Sequence, residues 1–361
     1  MKRRDWVARS VAIAVGMAAT RADALGTLAP AQPSTRCLGS GRLRWLVGWS
    51  PGGGYDVYSR LLEPYLEQAL GVEVVIDNVP GAAGRVAAVT LARARPDGRT
   101  LGILDGAGLL WAAAMQERNA LDLARDLTIL ARLSGRQAVL AAGPRSGVTS
   151  LPELLALART RRIALAATAP GSVNFVTSAV AMAILDVEAD FVVGYPGSRE
   201  VALAVLRGDV DATTLDTETL AGMFGRGRLA PLMSLGREQA PYVKLDSVPH
   251  LTGDDGVVGR MANLAAPVST RAHDLATALE AFLDVGRFVG APPRLPVQLE
   301  MCMRRRVWAA LNDPRFQVAV ARAGRSLDLV PGDKVADAIP TARAAMQRVF
   351  PIAAAAARRA R

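Results

Sequence analysis

Two glycine-rich turns carry the chemistry this chain can offer. The first reads Trp49-Ser50-Pro51-Gly52-Gly53-Gly54-Tyr55-Asp56 and the second Asn78-Val79-Pro80-Gly81-Ala82-Ala83-Gly84. Glycine has no Cβ, so the backbone can approach a ligand closely and can take positive φ. Where such a turn opens a helix, its exposed N–H groups and the helix dipole together suit an anion. Asp56 could cap the following helix, or accept from a ligand donor or an ordered water. A third turn, Thr168-Ala169-Pro170-Gly171-Ser172-Val173-Asn174, offers Ser172 as a cap or anion donor and Asn174 as a polar handle. Tyr195-Pro196-Gly197-Ser198 holds the corresponding place one strand later. Plain strand–helix connections are the alternative at each of these turns.

The rest of the chemical inventory points away from catalysis. The only histidines, His250 and His273, lie far from any cysteine or carboxylate spacing that would make a metal set. There is no G-x-S-x-G nucleophile elbow and no paired-carboxylate motif. The first turn lacks the third glycine of a dinucleotide fingerprint, and no Gly-Lys-Ser or Gly-Lys-Thr follows it. No cofactor or metal is therefore expected. The formal charge of +10 is scattered, with no basic run interleaved with aromatics, so a nucleic-acid partner is not expected either.

The elements that must position these turns alternate strand and helix. Apolar runs at 43–49, 72–77 and 100–104 read as strands, and the stripe through 57–70 and the segment 85–94 read as helices. The alternation resumes with strands at 163–167, 189–193 and 210–215, a helix over 172–185, and a helix opened by Ser150-Leu151-Pro152-Glu153. From residue 253 the pattern turns helical, over 270–288, 295–311 and 334–349, the last broken or kinked near Pro340. The architecture expected is α/β, with two lobes and a cleft between them. Lobe 1 takes 42–141, lobe 2 takes 142–250, and 251–361 cross back as helices over lobe 1.

The first 24 residues read as a signal peptide, with Lys2-Arg3-Arg4, an apolar run and Ala22-Asp23-Ala24 as the cleavage pattern. Residues 25–41 read as a flexible leader. Export makes a disulfide between Cys37 and Cys302 one option and two separate thiols the other.

In order and spacing, the blocks Pro51-Gly52-Gly53-Gly54-Tyr55-Asp56, Asn78 to Gly84, Pro96-Asp97-Gly98-Arg99-Thr100-Leu101 and Leu206-Arg207-Gly208-Asp209-Val210-Asp211 resemble those of one family. It is the TctC or Bug family, the periplasmic solute-binding proteins of tripartite tricarboxylate transporters. The resemblance implies a Venus flytrap fold and a periplasmic monomer that closes on a small organic carboxylate and presents it to a membrane permease. One carboxylate would be gripped by backbone amides and waters at 50–56 and 78–84, with the opposite lobe contributing 168–174. The candidate ligand-binding residues are Trp49, Ser50, Gly53, Gly54, Tyr55, Asp56, Asn78, Gly81, Ala82, Ala83, Gly84, Asp105, Thr168, Gly171, Ser172, Asn174, Tyr195, Asp211 and Asp216. Trp49, and Asn174-Phe175 where many members carry histidine, depart from the family pattern. So does 261–267, where a Trp-Phe-Gly segment is usual. A sensing protein, or a secreted enzyme on the same scaffold, is the alternative function.

Overall fold

The computed structural model describes residues 37–116, 119–224, 228–236, 245, 247–261 and 266–360. The expected signal peptide and most of the leader lie outside the described residues. The first strand–helix series is β1 (Arg42–Val47), α1 (Gly54–Leu70), β2 (Glu73–Asn78), α2 (Arg85–Ala92), β3 (Thr100–Asp105), α3 (Gly106–Ala114), α4 (Leu123–Asp126) and β4 (Thr128–Ser134). The second is β5 (Ala138–Ala142), α5 (Leu151–Ala158), β6 (Ile163–Ala166), α6 (Val173–Ile184), β7 (Ala189–Val192), α7 (Ser198–Arg207), β8 (Ala212–Asp216), α8 (Thr217–Leu220) and β9 (Ala230–Leu235). The chain closes with α9 (Val257–Met261), α10 (Ala266–Asp284), β10 (Arg287–Ala291), α11 (Val297–Leu311), α12 (Pro314–Arg322), β11 (Val330–Pro331) and α13 (Gly332–Ala357).

The strands form two sheets, ordered β11-β4-β10-β3-β1-β2 and β7-β6-β8-β5-β9. In each, three neighbouring strands run parallel and the next runs antiparallel to them: β10 beside β3, and β5 beside β8. Short βα connections keep the parallel strands together and place their C-terminal ends along one edge. Helix α1 buries Leu62, Leu66 and Leu70 of its apolar stripe, with Tyr58 beside them, and ends on Gly71 in the left-handed region. A continuous apolar core runs from Leu46 and Leu104 through Phe175 and Val180 to Phe282 and Val349, so α6, α10 and α13 join the two lobes.

Three expectations are corrected. The helix over 270–288 stops at Asp284, and the residues after it form β10. Gly286 makes the break, with φ +58 and a close approach at which a Cβ would lie 2.0 Å from Ser134 O. The run Phe288-Val289 is buried on both faces, so it lacks the alternation that betrays a strand. The chain crosses to the second sheet at 135–137, so 138–141 belong to the second lobe rather than the first. The leader is fastened at its end: Cys37 is bonded to Cys302, Leu38 is buried, and Arg99 donates to Gly39 O and Ser40 O.

The disulfide closes a loop with a sequence separation of 265 residues. Cross-linking removes entropy from the unfolded chain, a gain of about 2–5 kcal/mol for native bridges. Cys37→Ser combined with Cys302→Ser is expected to lower unfolding stability by roughly that amount. Urea denaturation of the oxidised and doubly substituted proteins measures it.

Candidate ligand-binding site

A cavity of about 590 Å³ opens where the C-terminal strand ends of the two sheets face one another. Sheet 1 lines it through Trp49 and Ser50 after β1, Gly81 to Arg85 after β2, and Asp105 and Trp111 at the end of β3 and in α3. The second sheet answers with Thr168 to Asn174 after β6, Tyr195 to Ser198 after β7, and Thr214 to Asp216 on β8. Arg136, in the crossing segment, lies at its floor. A shallower depression of about 760 Å³ between α10 and α13 has no such convergence of turns.

The turn after β2 is strained. Gly81 has φ +139, Ala82 +47, Ala83 +54 and Gly84 +86. Left-handed backbone costs an alanine about 1–2 kcal/mol, and such strain clusters at ligand clamps. Glycine is required at Gly84, because a Cβ there would meet the Trp49 ring at 2.7 Å. Trp49 in turn stacks on Tyr55, with ring centroids 3.6 Å apart and planes at 12°. Across the cleft Gly171, with φ +82, sits so close to Trp111 that a Cβ would lie 2.0 Å from its Nε1. Trp111 of one lobe thus packs directly on the turn of the other.

Several candidates brace the wall instead of lining it. Asp56 is buried and accepts from Gly52 N–H at 2.8 Å, Arg60 Nε at 2.8 Å and Asn78 Nδ2 at 2.9 Å. Asn78 Nδ2 also donates to Trp49 O at 2.9 Å, so the amide and carboxylate tie the first turn to the second. Burial alone would push the Asp56 carboxyl up, but bonds from Arg60, Gly52 and Asn78 hold it below the usual carboxylate range. Gly53, Gly54, Tyr55, Asp56 and Asn78 are absent from the cavity lining. Asp211 is at the wrong end of β8: it pairs with Arg161 at 2.7 Å and accepts from Ala164 N–H at 2.8 Å. Strand polarity explains this, since Asp211 precedes β8 whereas Asp216 ends it.

An ion-pair network joins the lobes beneath the cavity. Arg136 Nη1 donates to both Asp216 oxygens at 3.0 and 2.9 Å. Its Nη2 donates to Asp105 Oδ2 at 2.8 Å and to the Tyr55 hydroxyl at 3.0 Å, and its Nε to Asp105 Oδ1 at 3.4 Å. Arg287 from β10 reaches Asp216 at 2.9 Å and Glu218 at 3.5 Å and lies over the Tyr55 and Tyr58 rings. Glu218, on α8 of the second lobe, also accepts from Tyr58, Arg325 and Ser326 of the first. Neither Arg136, Arg287, Glu218, Trp111 nor Thr214 stood out in the sequence. Single arginines and a threonine in a strand carry no motif, and only the crossing topology assembles them.

Burial opposes the charge on Glu218, but Arg287, the Tyr58 hydroxyl and Arg325 overcome it and hold the carboxyl down to about 2. A carboxyl depressed in the folded state stabilises above its unfolded pKa of about 4.3 and loses that contribution as pH falls towards the folded value. Glu218→Gln is expected to cost about 3 kcal/mol at pH 7, and the gap to the parent should narrow as pH drops through the window below 4.5. Denaturant unfolding of both proteins across that pH range checks the sign.

The family model described as "Tripartite tricarboxylate transporter family receptor" matches residues 59–280. A UPF0065 protein of Bordetella bronchiseptica is 33% identical over 132 residues, which are 37% of this chain and 39% of that protein. The match with that relative therefore spans less than half of its length. Among solved structures, the periplasmic binding protein BugD superposes with a TM-score of 0.65 at 18% identity, covering 86% of this chain and 97% of its own. An R. palustris protein determined with adipate superposes with a TM-score of 0.67 at 21% identity, covering 87% and 97%. These likenesses show a bilobed α/β periplasmic-binding fold.

Proposed function

Because this chain belongs to the tripartite tricarboxylate transporter receptor family, we propose that it is a periplasmic solute-binding protein. It captures a small organic carboxylate between its lobes and delivers it to the membrane permease of such a transporter. The observation that carries this reading is the strained turn Gly81–Ala82–Ala83–Gly84 on the cavity wall, with the Thr168–Asn174 turn facing it from the other sheet. A turn held in left-handed backbone gathers N–H groups into a concavity suited to an anionic oxygen. Arg85, the first residue of α2, adds a cation beside it. The R. palustris neighbour determined with adipate supports a carboxylate as the ligand class.

Capture follows from geometry. Only when the lobes meet does the ligand touch both the sheet 1 turns and the opposing turn, so binding favours the closed arrangement. Trp111 against Gly171 is a contact made in that arrangement. Asp56 and Asn78 act earlier, by fixing the first turn before ligand arrives.

Isothermal titration against a panel of mono-, di- and tricarboxylates is expected to find at least one ligand that binds. Gly84→Ala, which forces a Cβ into the Trp49 ring, should weaken that ligand by about tenfold or more. A panel that gives no heat with any acid would defeat the proposal.

A further inference from the structure

Two aspartates at the floor of the cavity forgo the role their positions offer. Asp105 ends β3 and Asp216 ends β8, and each stands at the N-cap of the helix that follows. Aspartate in that position ordinarily accepts from the first N–H groups of its helix. Neither side chain does so here; both carboxylates turn to Arg136 and line the cavity.

The two are not equivalent. Asp105 keeps 8% of its side-chain surface exposed and Asp216 keeps 22%. At Asp216, Oδ2 accepts from Arg136 Nη1 and from Arg287 Nη2, both at 2.9 Å, whereas Oδ1 accepts from Arg136 Nη1 alone, at 3.0 Å. A carboxylate offers about four acceptor positions, so Oδ1 has one more to give, on a side chain that reaches the cavity.

The group that fits this oxygen must be a donor, and its charge is constrained. Asp216 is bonded by Arg136 and Arg287, and Arg136 by Asp105 and Asp216, so these charges are matched before a ligand arrives. A ligand carboxylate here would face two aspartates and bring no proton to Oδ1. An ammonium would bring donors but sit beside two guanidiniums, and like charges set together are costly. A hydroxyl adds no charge and supplies the donor. The Gly81–Gly84 turn, which the reading above gives to the ligand carboxylate, follows β2, and β1 separates β2 from the strand that Asp105 ends. At about 4.8 Å per strand, the two poles lie on the order of 10 Å apart along the first sheet.

We infer that the ligand is a hydroxy acid, with its carboxylate at the Gly81–Gly84 turn and a hydroxyl at the far end that donates to Asp216 Oδ1. This rests on the carboxylate reading above. It makes Asp216 a specificity-determining residue as well as a link between the lobes.

Straight-chain acids of about four to eight carbons test it, each length ending in a hydroxyl, a methoxy, a methyl, an ammonium or a second carboxylate. At the best length, calorimetry is expected to find the hydroxy acid bound about tenfold more tightly than each of the others. The methoxy acid keeps the oxygen and loses only the donor, so this comparison needs no variant to fold. In Asp216→Asn the preference for hydroxyl over methoxy should shrink to within about twofold, a ratio from which any general weakening by altered lobe contacts cancels. Any other end group binding as well as the hydroxyl, or a preference undiminished in Asp216→Asn, would overturn the inference and leave the carboxylate reading standing. So would failure of this whole series while another carboxylate binds. Failure of every acid would remove the carboxylate reading and the inference with it.

Discussion

Arg136 is the group on which the arrangement depends. It sits in the short segment where the chain leaves one sheet for the other, and its guanidinium spans Asp105 at the end of β3 and Asp216 at the end of β8. Burial would by itself strip its charge, but the two carboxylates keep it firmly protonated. Arg287 and Glu218 extend the same device to β10 and α8. Buried ion pairs add little net stability, because desolvation offsets attraction. Their value here is geometric, since each bond has a direction and together they fix how the two strand edges face one another. The cavity exists because those edges are held in register.

The floor of the cavity is consequently both polar and satisfied. Its walls are built differently, from backbone held in unusual conformations and from tryptophans pressed against glycines. Trp49 needs Gly84 and Trp111 needs Gly171, one contact within a lobe and one between lobes. Rigid aromatic faces over bare backbone leave little freedom to adapt, which favours a narrow choice of ligand.

Much of this was legible in the residues. Glycine turns between strand and helix patterns located Trp49, Ser50, Gly81 to Gly84, Thr168 to Asn174 and Tyr195, because local sequence dictates local turns and topology places all of them at one edge. Asp56 and Asn78 were recognisable as important, but spacing does not reveal which way a side chain faces, and both turn inward to brace the loop. Asp211 misled because it lies one strand length from Asp216, a distance that moves a residue from one end of the lobe to the other. Tyr55, Asp105 and Asp216 of the crossing network were legible as candidates, but Arg136, Glu218, Arg287 and Arg325 were not, because the members are spread from Tyr55 to Arg325 and no local pattern links them. The helical pattern over 270–288 takes in the first two residues of β10, because a strand buried on both faces has no alternation to mark where it begins.

The place of β10 between β3 and β4 also sets an order of assembly. The strands of the second sheet are contiguous in the chain, from β5 to β9, so all of its partners exist once residue 235 has emerged. The first sheet begins earlier and finishes later, because β3 and β4 have no ladder between them until residues 287–291 return. Pairings so distant in sequence are slow to form and leave edges open in the meantime. A chain delivered from its N-terminus thus has every strand of its middle sheet before β3 and β4 meet the neighbour that lies between them.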